Sequence, residues 1–108
     1  MLVQSGVSTW LAHDRRDNAI ATATQAADSR GRSHKITTIF ASYSGVRTGL
    51  LQIRRDAVVI AEHYVVNSAV IPFNEPLLIG PSSAVSATLE ASGTGGVSGS
   101  VSMVGYTN

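Results

Sequence analysis

Cysteine is absent from the 108-residue chain, which excludes a disulfide framework, a thiolate zinc site and a cysteine nucleophile. Charge is scarce as well. Charged residues make up 14% of the sequence and the formal net charge is +1, against roughly a quarter charged in an average globular domain. Aromatic side chains are few, namely Trp10, Phe40, Tyr43, Tyr64, Phe73 and Tyr106, so a sugar-stacking platform is poorly supplied. No segment approaches the ~18 consecutive apolar residues that span a bilayer, and no membrane partner is expected. The opening stretch MLVQSGVSTWLAHDRR lacks the basic leader and unbroken apolar core of a secretion signal. Synthesis in the cytoplasm without a classical export signal is the expectation.

Hydrophobic residues reach 44%, too many, with too little net charge, for a disordered chain. Ser, Thr, Gly and Ala cover what charge does not, a composition that suits strands, tight turns and surfaces that lie against other protein. The length fits one domain. A domain of this size buries roughly 60 to 70% of the surface its unfolded chain exposes, so association would add usefully to its stability.

Runs of Val, Ile, Thr, Ser and Ala are broken every ten or so residues by Gly, Pro, Asn or Asp, the punctuation of an all-β sandwich or barrel. Turns are expected at Arg30 to Ser33, Ser44-Gly45, Arg55-Asp56, Asn74 to Pro76, Gly80 to Ser83 and Ser92 to Gly96. Strands are expected between them at about 34–43, 46–54, 57–66, 68–72, 76–79, 84–91 and 97–107. Alternation is clearest near the carboxyl end. Val85, Ala87 and Leu89 share one face against Ser86, Thr88 and Glu90, and Val101 and Met103 alternate with Ser100 and Ser102. These two segments read as a hairpin across Ser92 to Gly96. The middle segments around Leu50-Leu51 and Val58 to Ala61 are apolar on both faces, as in interior strands or strands covered by a neighbouring subunit.

Residues 34–108 are expected to form the β-sandwich. Residues 1–33 are less regular and are expected as an amino-terminal arm within the same single domain. DNAIATATQAAD (17–28) fits either a short helix or, somewhat better, an extended strand. Leu2, Val3, Val7, Trp10 and Leu11 are apolar without a period, so they are the candidate interface residues of an arm that docks on another subunit or a particle.

No catalytic or cofactor-binding residue is expected. His13, His34 and His63 show none of the spacings that zinc sites use, so no metal is expected. G-x-S-x-G does not occur. The Gly93 to Gly99 stretch lacks the Lys-Ser/Thr of a phosphate loop and leads into a strand. The seven carboxylates supply no evident catalytic pair. Charge is instead divided along the chain. Arg30, Arg32, Lys35, Arg47, Arg54 and Arg55 fall in a stretch without an acid, and Asp56, Glu62, Glu75 and Glu90 in one without a base. That pattern fits complementary contact between subunits, a basic rim facing an acidic partner, or incidental asymmetry. Nucleic acid is an unlikely partner, because the pI is only near 8.2 and the chain has one Lys beside seven Arg.

From His34 on, HKITTIFASYSG, TGLLQI, AVVIAEHYVV, IPFNEPLLIG and AVSATLEASGTGGVSGSVSMVGYT resemble the small β-sandwich structural proteins of tailed bacteriophage virions, over about two thirds of the chain. The resemblance implies an antiparallel jelly-roll-like fold and a head-decoration or tail-associated role without enzyme activity. It also implies a symmetric oligomer or an array on a particle, with a major capsid or tail protein as a further partner. The two-sided apolar strands and low charge lead to the expectation of a homo-oligomer, a trimer first and a dimer next. Such a protein would reside in the virion and be assembled in the host bacterial cytoplasm. The competing reading is a carbohydrate- or protein-binding sandwich module, such as a tail or host-recognition component.

Overall fold

A computed structural model describes residues 8–108. They form eight strands and no helix: β1 (Ser8–Asp17), β2 (Ala21–Gln25), β3 (Ser33–Tyr43), β4 (Thr48–Arg55), β5 (Val58–Val66), β6 (Ser68–Pro81), β7 (Val85–Leu89) and β8 (Ser98–Thr107). One sheet has the order β1-β8-β3-β6 and the other β2-β7-β4-β5, with every pairing antiparallel. The first strand pairs with the last, the second with the seventh, and so on inward. A long antiparallel hairpin rolled so that successive rungs alternate between two sheets gives this order, which is the jelly roll. The all-β, jelly-roll expectation is met by the strand order itself.

The core follows from period-two alternation. Val85, Ala87 and Leu89 of β7 face Val101 and Met103 of β8 from opposite sheets, all fully buried, with Ile36, Ile39 and Leu51 filling the space between. Each such aliphatic side chain contributes on the order of 1.5 to 3 kcal/mol by leaving water. The faces expected for β7 and β8 are therefore the observed ones, but the hairpin is not. The two strands lie in different sheets, β7 between β2 and β4 and β8 between β1 and β3. The connection at 90–97 thus crosses the sandwich. Ser92 holds it, its hydroxyl bonded to the carbonyls of Thr94 (3.0 Å) and Val97 (2.7 Å).

Two further expectations change. The segments at 68–72 and 76–79 belong to one strand, β6, which leaves the β3 ladder between Pro72 and Leu77 opposite Thr37 and then rejoins it. Prolines without a donor suit this edge position. Of the two doubly apolar strands, β4 is interior whereas β5 is the edge of its sheet, with only Val65 buried.

Within the described residues, the segment expected as an arm supplies a strand to each sheet. β1 pairs along its whole length with β8, from Ser8 opposite Thr107 to Asp17 opposite Ser98. The alanine-threonine segment is extended as β2, its Ala21 and Ala23 buried. The small alanines let β2 lie close over the core while Thr22 and Thr24 face out. At the opposite side of the sandwich Asn67 reverses the chain between β5 and β6 with φ +64°, a left-handed conformation that Asn tolerates better than most residues. Its backbone and side chain both bond Arg47, Asn67 N–H to the carbonyl at 2.7 Å and Arg47 N–H to Oδ1 at 2.8 Å.

Candidate assembly surface

Trp10 lies half-buried on the core-facing side of β1. Its indole N–H donates to Thr107 Oγ1 at 3.0 Å, and its ring meets the His34 ring edge-on with centroids 5.7 Å apart. His34 is fully buried and closes the network, with Nδ1 2.6 Å from Thr107 Oγ1 and Nε2 2.6 Å from the Ala26 carbonyl. Indole nitrogen only donates and a carbonyl only accepts. Thr107 therefore accepts from Trp10 and passes its own proton toward Nδ1, while Nε2 donates to Ala26. Four segments, β1, the β2–β3 connection, β3 and β8, are locked together here. Gly105 is required beside them, because a Cβ at that position would fall 2.6 Å from Trp10 Cζ2 and into the Lys35 carbonyl oxygen.

Of the other interface candidates, Leu11 points away from the core and is 66% exposed, while Leu2, Val3 and Val7 lie outside the described residues. Leu11 does not stand alone. On the outer face of the β1-β8-β3-β6 sheet, Leu11 is registered with Val104, Val104 with Thr38, and Thr38 with Pro72. The next row runs His13, Ser102, Phe40 and Val70, and the row on the other side ends on Leu78. Val70 and Leu78 are 63% and 59% exposed. A band of apolar residues thus crosses a face that otherwise carries serine and threonine together with His13, Arg15 and Lys35. Phe40, Val70 and Leu78 were not singled out in the sequence, although Ile39 and Ala41 facing inward would have placed Phe40 outward.

The outer face of the second sheet is more polar at its centre. Arg54 Nη2 donates to Gln52 Oε1 and Gln52 Nε2 to Glu62 Oε2, both at 2.8 Å. Glu90 accepts from the Leu50 N–H at 2.9 Å. Ile20, Leu50 and Thr88 line a shallow depression with Gln52, Arg54 and Glu90. At the rim stand Ile60, Tyr64 and Val66 of β5, with Tyr64 70% exposed.

The charge division noted in the sequence is folded together here. Basic β4 lies between β5, which carries Glu62, and β7. Among the described residues the ion pairs are local, Arg16 with Asp14 and Arg32 with Asp28, each at 3.1 Å. Neither joins the two halves. Hydrogen bonds from Arg32 hold the Asp28 carboxyl down at about 2, backed by the Arg32 and Arg30 backbone N–H groups, and the same contact raises Arg32. Asp14 is lowered chiefly by the Thr22 N–H. Tyr43 is raised by burial and then by the Glu90 charge, and its hydroxyl donates to the Glu90 carbonyl at 2.7 Å. These bonds tie loops to strands.

The three histidines are separated in space as in sequence: His13 bonds Ser102 on the outer face, His34 is in the buried network, and His63 is on β5. Among the described residues no three His, Asp or Glu side chains gather as metal ligands.

No family model matches the chain, and no curated protein matches it. Among solved structures it is similar to the virus-like particle of the extra small virus of the giant freshwater prawn Macrobrachium rosenbergii. The two are 12% identical, with a TM-score of 0.41 over 99% of this chain and 82% of that one.

Proposed function

We propose that this jelly roll is a non-enzymatic structural subunit of a virion, held in place by packing against copies of itself and a major capsid or tail protein. The observation that carries the reading is the apolar band of Leu11, Val104, Phe40 and Val70 across the outer face of one sheet. Contiguous exposed apolar surface of this kind marks protein interaction sites. The low charge supports the same reading, because interface cores are depleted in charged residues. The jelly roll is common among capsid domains, though lectins and cupins use it too. The resemblance to tailed-phage virion proteins points to a decoration or tail-associated role, with a trimer the first arrangement to test and a dimer the next.

Light scattering on the eluting protein tests self-association, beside a Phe40→Glu variant on the band. The expected result is an oligomer in the parent and a smaller species in the folded variant. A monomer in both, with no binding to a phage particle, overturns the reading. A second reading, a carbohydrate-binding module, is favoured by the depression of Gln52, Arg54 and Glu90. Binding of an oligosaccharide that is lost in Gln52→Ala would establish it.

A further inference from the structure

The two open sheets leave four edge strands, β1 and β6 on one sheet and β2 and β5 on the other, each a template for pairing unless blunted. Three of them are blunted. β1 carries Asp14, Arg15, Arg16 and Asp17 along its second half. β2 has only five residues. β6 contains Pro72, Pro76 and Pro81 and departs from its ladder midway. β5 has no proline, and from Ala61 to Val66 it pairs with β4 without a register shift. Its outer edge meets no other strand among the described residues.

We infer that β5 is a self-pairing edge, at which a second copy of this chain adds its own β5 antiparallel across a two-fold axis at His63. The inference rests on the self-association proposed above and names one of its contacts. A strand edge is satisfied by another strand edge, and β5 is the unblunted edge among the described residues. Two-fold symmetry through the sheet keeps faces matched, so one residue of β5 lies opposite itself. An axis at Glu62 would set two carboxylates opposite each other, which is repulsive. An axis at Ala61 or Tyr64 would set Glu62 against Ile60 or Val66. With the axis at His63, Glu62 faces the partner's Tyr64, whose hydroxyl donates to a carboxylate. Ile60 then faces the partner's Val66, and Ala61 its Val65. The register shift between Ile53 and Arg54 in the β4 ladder falls just beyond this stretch and leaves Ala61 to Val66 straight. The joined sheet has eight strands.

The chain has no cysteine, so a single introduced one reports on its own two-fold neighbour. Residues opposite each other in an antiparallel pair have Cα atoms roughly 4.5 to 5.5 Å apart, inside the range a disulfide bridges. Diagonal neighbours lie too far apart for easy closure. His63→Cys is expected to form a disulfide dimer about tenfold faster than Glu62→Cys or Tyr64→Cys at equal concentration. The Glu62→Cys, Tyr64→Cys double variant is expected to close an intermolecular disulfide faster than either of its single variants. Tyr64→Glu, which sets a carboxylate opposite the partner's Glu62, is expected to raise the concentration needed for association about tenfold or more, with its circular dichroism unchanged. If the parent assembles but the three single cysteines oxidise alike and Tyr64→Glu assembles normally, the β5 contact is overturned and the broader proposal stands. If the parent is a monomer throughout, both fall. Should Tyr64→Glu fail to fold, the relative disulfide rates decide alone.

Discussion

Truncating Trp10 distinguishes a residue of the sandwich from a residue of an interface. Burial of a whole Trp side chain is worth about 3 to 5 kcal/mol by alanine substitution. Trp10 is half-buried, so its packing on His34 and over Gly105 is worth about 2 kcal/mol. Loss of the bond to Thr107 adds about 1 kcal/mol and frees a hydroxyl in a buried network. Trp10→Ala should therefore lower folding stability by about 3 kcal/mol, or roughly 15 °C in melting temperature for a domain of this size. Circular dichroism during urea unfolding measures the loss without the missing chromophore. Gly105→Ala provides the converse test, since its methyl would strike Trp10 and the Lys35 carbonyl. It should destabilise while shifting the emission of the sole tryptophan. A Trp10→Ala protein that melts like the parent but no longer associates would refute the reasoning, because the side chain would then belong to a partner.

Leu89→Ala removes three carbons from a fully buried site, about 2.4 kcal/mol of transfer before the cavity is counted, so about 3 to 4 kcal/mol is expected in denaturant titration. Ser100→Ala, facing out on β8, should cost under about 0.5 kcal/mol. Asn67→Ala loses the bond to the Arg47 N–H and a tolerated left-handed turn, for about 2 kcal/mol, whereas Asn67→Gly should recover the backbone part. Asp28 is held below its usual 3.8, at about 2, so its contribution is complete above pH about 4 and disappears as pH falls through about 2. Asp28→Asn should accordingly flatten that part of the acid unfolding curve, and an unchanged curve would contradict the Arg32 clasp.

The strands from His34 onward were legible because alternation and turn residues repeat along them. Val85, Ala87 and Leu89 against Ser86 and Thr88 fixed which face is buried without any knowledge of partners. Partnering was not legible. Five residues of Gly, Ser and Thr between two alternating strands suit a hairpin as well as a crossing between sheets, and the choice depends on β1 and β2 inserting beside β8 and β7. That insertion was obscured because β1 mixes Trp10, Ala12 and Asp14 on its inner side, so no apolar period shows. Pro76 read as a strand break, whereas an edge strand accommodates it by leaving the ladder for a few residues. Of the surface, Leu11 was foreseen as apolar and available, but the band it joins is assembled from four strands and appears only once their registers are known.

This jelly roll is proposed to work by associating with copies of itself. Sedimentation velocity from micromolar to near-millimolar concentration tests it most directly. The expected result is a species heavier than the 11.3 kDa chain, growing with concentration and shifted to lighter forms by Phe40→Glu and Tyr64→Glu. A single monomeric boundary across the whole range, unchanged by either substitution, would contradict it.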